Sequence, residues 1–153
     1  MRVEYINPFV DSAIQILKET VTEDVKKGEL SLSATMNPML GVLVLVGLAG
    51  QVSGRIIFDM SRETALKIAS IMNNETMTEF DELSIGTLTE LANMITGKAV
   101  TQLHELGFQF DLTPPAFLTG QKIHLSDNKV EALVVPLEIP QGRIEINVGI
   151  REN

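Results

Sequence analysis

Between Met39 and Gly50 the chain reads MLGVLVLVGLAG, its most apolar stretch. Twelve residues fall well short of the ~20 that a helix needs to cross a bilayer. A run of this length reads instead as a strand buried in a sheet. Any fold for this chain must therefore cover that strand. The residues that follow, QVSG and then RIIFDM, read as a Gly/Ser turn and a second strand, which together make a hairpin.

The rest of the chain supplies helices and further strands. Asn7 before Pro8 looks like an N-cap with proline at the first helical position, and Phe9, Ala13, Ile16 and Leu17 then share one side. That predicts a first helix opening at Pro8. TEDVKKGE is a charged connector, and LSLSATMN alternates as an edge strand does. SRETALKIASIMN, opened by Ser61, predicts a second helix with Ala65, Ile68, Ala69 and Met72 on one face. After a polar loop, NNETMTE, the longest helical segment runs from about Glu79 to Leu106. Asp81 and Glu82 assist its N-terminus, and Gly107 stops it. FQFDLTPP is a short strand entering a double-proline break. AFLTGQKIHL, KVEALVVPLEI and GRIEINVGI are three more strands, with turns at SDN and PQG. Pro136 inside the second of these marks an edge or a bulge. Helix and hairpin recur in the two halves, which either a pseudo-twofold or ordinary α+β recurrence would produce. With no linker to divide it, the chain is expected to be one α+β domain over 1–153, its long helices packed on an antiparallel sheet.

Composition narrows the function. The net charge of −8 argues against non-specific nucleic-acid binding, which needs a basic face for phosphates. It argues equally against a cationic membrane-surface role. With no cysteine, thiol catalysis, disulfides and thiolate zinc sites are excluded. The opening MRVEYINPFVDS lacks the apolar core of a secretory signal, so a cytoplasmic protein is expected.

The long helix has two unlike faces. At about 100° per residue, Ile85, Leu88, Ala92, Ile95, Ala99, Leu103 and Leu106 gather on a core side. Gly86, Glu90, Asn93, Gly97 and Thr101 line the outer side, bordered by Leu83 and Met94. Glycine in an exposed helix costs about 1 kcal/mol relative to alanine. It also leaves a trough in which a partner's backbone comes close. Spacing alone leaves two readings of Glu90 and Asn93: ordinary solvated residues, or the centre of a contact stripe.

Familiar sites are missing. There is no GxxxxGK[ST] loop and no GxGxxG. His104 and His124 are isolated and read as surface or packing residues, and the methionines read as core and rim filler. No histidine, serine nucleophile or second acid accompanies Glu90 and Asn93. An amide and a carboxylate do suit one task, the orientation of water for attack on a phosphoryl group carried by another molecule. Phosphoryl transfer asks a protein mostly for positioning and electrostatics. An amide holds water through one donor and one acceptor. A neighbouring carboxylate can pair with a partner's lysine.

At this point the segment DELSIGTLTELANMITGKAVTQLHELGFQFDLTPP, Asp81 to Pro115, resembles the CheC/CheX/FliY family of phosphatases. The family's signature is an acidic residue or serine, then Glu, then Asn after two intervening residues, and a proline about twenty residues on. Glu90, Asn93 and the Pro114–Pro115 pair match it. The first position falls on Gly86, a departure that puts the role of that position in doubt. The first helix carries Asp11, Gln15 and Lys18 at the matching spacing, so its Glu and Asn are both replaced. One active helix per chain is implied, as in the CheX members.

The resemblance implies a CheC-like α+β fold with pseudo-twofold halves. It also implies a phosphatase acting on a phosphorylated CheY-type response regulator in chemotaxis. Asn93 would position water against the regulator's aspartyl phosphate, and Glu90 would pair with its active-site lysine. Gly86, Met94, Gly97, Thr101 and Leu83 would form the contact surface. Magnesium would sit on the regulator, with no cofactor or metal on this chain. A homodimer is implied as well. Two rivals stand beside this reading. One is a non-catalytic regulator-binding or flagellar-switch-like structural module. The other is a scaffold or small-ligand domain whose helix stripe is simply solvated.

Overall fold

The computed structural model describes residues 3–32, 39–124 and 131–153. The apolar run is strand β3 (Val42–Gly50), joined by a tight turn at Gln51 to β4 (Val52–Met60). The turn is shorter than QVSG suggests. Val52, Ser53 and Gly54 already pair within the sheet, and Gly50 takes the reversal with a φ of 99°. That φ is open to glycine at little cost. Valine and leucine alternate along β3 to both faces. Val42, Val44, Val46 and Leu48 enter the main core, while Leu43 is buried on the opposite face. A strand covered on both sides reads as a continuous apolar run.

Among the described residues eight strands form one antiparallel sheet. The other strands are β1 (Lys26–Lys27), β2 (Ser31–Leu32), β5 (Phe110–Leu112), β6 (Ala116–Thr119), β7 (Ala132–Ile139) and β8 (Gly142–Glu152). The order is β1-β7-β8-β4-β3-β5, with β2 also on β7 and β6 also on β3. The β4/β8 seam is continuous from Val52 opposite Glu152 to Met60 opposite Ile144. One hairpin lies on each side of this seam, β3/β4 and β7/β8, so the two halves of the sheet mirror one another.

Both outer strands are interrupted. β5 pairs with Leu48–Gly50 and β6 with Val42–Leu45. Pro114 and Pro115 cross between them, where the Gly47 N–H donates to Thr113 Oγ1 at 2.7 Å. A Cβ on Gly47 would lie 2.9 Å from the Thr113 side chain, so only glycine fits beneath it. On the other side, β1 and β2 are two pieces separated at Pro136, whose carbonyl accepts from Gly28 N–H at 2.8 Å. The missing proline N–H faces that same gap, because a residue's N–H and C=O point to one side of a strand. The charged connector thus contributes a strand at Lys26–Lys27. The rest of LSLSATMN beyond Leu32, and the SDN turn, lie outside the described residues.

Among the described residues three helices cover one face: α1 (Val3–Thr20), α2 (Arg62–Asn73) and α3 (Glu82–Glu105). Their buried side chains merge with the inward residues of β3, β4, β7 and β8 in one core. α1 begins before Pro8, which sits inside the helix as a buried residue. Proline there forfeits a backbone hydrogen bond. The preceding turn is nonetheless held by burial of Tyr5 and Ile6. Tyr5 stacks edge-on against Phe108 and Phe110, and its hydroxyl donates to Glu152 at 2.8 Å. Among the described residues no helix is long and apolar enough to cross a membrane.

On the face opposite the helices, Asp59 of β4 stands across from Glu145 of β8 and is buried. Its carboxylate accepts from Leu40 N–H at 2.9 Å. Burial pushes its pKa up to about 6; the Leu40 hydrogen bond opposes the rise and the Glu145 charge adds to it. A carboxyl whose folded-state pKa lies above its unfolded value contributes stability at low pH. That contribution is lost as pH rises through the folded value. Compared with Asp59→Asn, the native chain is therefore expected to gain about 2 kcal/mol between pH 7 and pH 4.5. Urea unfolding of both proteins at the two pH values checks this.

Candidate active site

α3 starts one turn later than its apolar pattern suggests, because Asp81 caps it. The Asp81 carboxylate accepts from Ser84 N–H at 2.8 Å, and Ser84 Oγ accepts from Asp81 N–H at 2.8 Å. This reciprocal box satisfies two donors of the first turn. The Ser84 N–H and hydroxyl hold the Asp81 carboxyl below the usual carboxylate range. Phe80, just before the cap, lies edge-on against Phe117 of β6, with the Arg62 guanidinium over its ring. The entry of α3 is thereby tied to both α2 and the sheet edge. At its far end Leu106 is the C-cap, and Gly107 follows with a φ of 96°.

The inner face of α3 buries Leu88, Leu91, Ala92, Ile95, Thr96, Ala99, Val100 and Leu103. Two residues assigned to that face differ. Ile85 is only half-buried, and Leu106 is 63% exposed. Leu106 lies past the end of the helix, where the periodicity no longer governs its direction.

The outer stripe stands as the spacing implied. Gly86, Glu90, Asn93 and Thr101 are exposed, and Gly97 is half-buried. Leu83 is 50% exposed. Met94 is half-buried and packs partly against the core. A Cβ added at Gly86 or Gly97 would meet nothing within 4 Å. Neither glycine is required by this chain's own packing. The threonine hydroxyls of α3 donate to the helix's own carbonyls: Thr87 to Leu83, Thr89 to Ile85, Thr96 to Ala92 and Thr101 to Gly97. By contrast, the Glu90 carboxylate and the Asn93 carboxamide have no hydrogen-bond or ion-pair partner among the described residues. They stand three positions apart on the helix, so they project from neighbouring points about 4.5 Å apart along the axis.

One contributor was not legible in the sequence. A shallow trough beside Glu90 is lined by Met72 and Asn73 of α2 and by Asp81, Glu82, Leu83, Gly86 and Thr87. The Asn73 amide fixes its wall, donating to Ala69 O at 2.8 Å and to Thr87 Oγ1 at 2.7 Å. Asn73 reads in sequence as the start of a polar loop. Only the packing of α2 on α3 brings it to the site. Pro114 and Pro115 belong to the sheet edge beneath α3 and not to its exposed stripe. His104 bridges the Phe110 backbone through Nε2, a packing role. Among the described residues no three His, Asp or Glu side chains are gathered as a metal site requires.

An exposed acid and amide, flanked by glycines and without a base or metal cluster beside them, can do little to a substrate alone. They can complete a site that another molecule brings. Residues 42–138 match the family described as chemotaxis phosphatase CheX. The chain belongs to the CheX family. It is 28% identical over 141 residues to the CheY-P phosphatase CheX of Thermotoga maritima, covering 92% of this chain and 88% of that protein. It is similar to a chain of the CheX–CheY–BeF3–Mg2+ complex of Borrelia burgdorferi, with 44% identity and a TM-score of 0.84. That match covers 99% of this chain and 100% of the other. A CheC-like superfamily protein of Shewanella sp. PV-4 superposes with a TM-score of 0.90 at 27% identity, over 99% of both chains. These CheX-family and CheC-like folds share the mixed helix and antiparallel-sheet architecture described above.

The free space above the two glycines has a measurable consequence. Gly86→Ala and Gly97→Ala should each raise stability by up to about 1 kcal/mol, read as a higher urea midpoint with an unchanged slope.

Proposed function

We propose that this CheX-family chain hydrolyses the aspartyl phosphate of a CheY-type response regulator. In this reading α3 lies against the regulator with its outer stripe. Asn93 enters the phosphorylation site and holds a water in line with the phosphorus through its N–H and C=O. Glu90 pairs with the regulator's lysine and fixes the approach. The P–O bond to the aspartyl oxygen breaks as water oxygen bonds to phosphorus, and the water's protons leave with the released inorganic phosphate. The leaving group is a carboxylate, whose conjugate acid has a pKa near 4, so no proton donor is needed. Magnesium belongs to the regulator and would offset the charge on the phosphoryl oxygens there.

The observation that carries the reading is the pair of unpartnered polar side chains, Glu90 and Asn93, on a helix face whose glycines meet open space. Their family supports it, as do the relatives whose names join CheX to CheY. A homodimer belongs to the same proposal. The exposed Leu30 and Leu32 at β2 and Leu118 on β6 offer apolar surface for it.

The test is the lifetime of the regulator's aspartyl phosphate. Asn93→Ala should slow stimulated hydrolysis at saturation by about a hundredfold or more while the chain still binds. Glu90→Ala should weaken binding about tenfold or more. Unchanged hydrolysis in Asn93→Ala would leave the chain a docking module without catalysis.

A further inference from the structure

The proposed chemistry has a direction along α3. Glu90 faces the lysine and Asn93, one turn further on, faces the phosphate. Positions before Glu90 therefore meet whatever lies beyond the lysine, away from the phosphate. At 1.5 Å per residue, Gly86 is about 6 Å and Leu83 about 10 Å from Glu90 along the axis. The trough between α2 and α3 opens on that side and shares Glu90 as a wall. Its apolar surface comes from Leu83, 50% exposed, and Met72. Its charge is negative throughout, with Asp81, Glu82 and Glu90 on the lining and no lysine or arginine among the lining residues. Asp81 is occupied with the helix cap, which leaves Glu82 as the acid open to a partner. The Asn73–Thr87 bond keeps the trough's walls together without a partner.

We infer that this trough is a specificity pocket for the regulator, with Leu83 and Glu82 its selecting residues. It receives the stretch of regulator chain adjoining the lysine, a stretch carrying positive charge and one apolar side chain. The inference rests on the phosphatase reading for its orientation, since Glu90 and the trough are one continuous surface. Leu83 supplies the apolar contact that anchors the segment. Glu82 steers its charge, an effect that weakens with added salt. Gly86 leaves the mouth open between them. None of these residues reaches the phosphate, so their effect is on docking and not on the hydrolytic step.

The experiment measures KM and kcat for the phosphorylated regulator, together with direct titration of beryllofluoride-loaded regulator into each variant. The variants are Leu83→Ser, Glu82→Gln and Asn93→Ala. Leu106→Ser serves as the control, an exposed leucine at the far, C-cap end of the helix. Leu83→Ser should raise KM and Kd about tenfold with kcat unchanged, a typical loss for an apolar interface anchor. Glu82→Gln should raise both about threefold at low salt, an effect that fades at high salt. Leu106→Ser should leave both constants alone, and urea midpoints exclude loss of fold. If Leu83→Ser and Glu82→Gln bind and turn over like the native chain while Asn93→Ala is inactive, the pocket is overturned and the phosphatase reading stands. If Asn93→Ala retains native hydrolysis, the phosphatase reading falls. The titration then decides the pocket by itself, supporting it if Leu83→Ser loses affinity and overturning it if it does not.

Discussion

Everything at the candidate site depends on α3 being held from one side only. Leu88, Leu91, Ala92, Ile95, Ala99 and Leu103 fix the helix against α1 and the sheet. The Asp81–Ser84 box and the Arg62–Phe80–Phe117 stack fix its start. With the helix anchored so firmly from within, its outer stripe is free of any packing duty. That freedom permits two glycines in mid-helix, which an isolated helix would bear poorly. It also leaves a carboxylate and an amide without intramolecular partners. A polar side chain with no internal bond keeps its full hydrogen-bonding capacity for another molecule. The threonines on the same helix show the contrast, since each hydroxyl is already bound to a carbonyl one turn back.

Legibility in the sequence followed the range of the forces involved. β3 and β4 were readable because local apolar runs encode a covered strand. α2 was readable from Ser61, whose hydroxyl does accept from Thr64 N–H. The inner and outer faces of α3 followed from periodicity, which is a property of the helix alone. The failures were tertiary. Asn7–Pro8 carries a good local start signal, but Tyr5 and Ile6 find burial partners far along the chain and draw the helix back to Val3. Pro136 announced an interruption, yet not that two short strands would pair on either side of it. The position of Leu106 followed the end of the helix and not its period.

The same division applies to the site. Glu90, Asn93, Gly86, Thr101 and Leu83 are close in sequence and lie on one exposed stripe, with half-buried Gly97 among them. Asn73 and Met72 are not, and nothing local marks them as neighbours of Glu90. The departure at Gly86 also acquires a physical meaning. The family signature places an acid or serine there, whereas this chain has a glycine whose missing side chain opens onto the trough. The negative charge that an acid would supply at that point is present instead on Glu82, four residues earlier.

The broken outer strands carry a consequence of a different kind. A long, flat sheet edge is a template on which further chains can add and polymerise. Here one edge is cut by Pro114–Pro115 into pieces of three and four residues, and the other is cut at Pro136 into pieces of two. Among the described residues no uninterrupted row of backbone donors and acceptors is left at either end of the sheet. The molecule can thus keep a very apolar strand one place in from the edge, of the sort that would nucleate fibres if laid bare, while the described edges offer a neighbouring chain only short pieces to pair with.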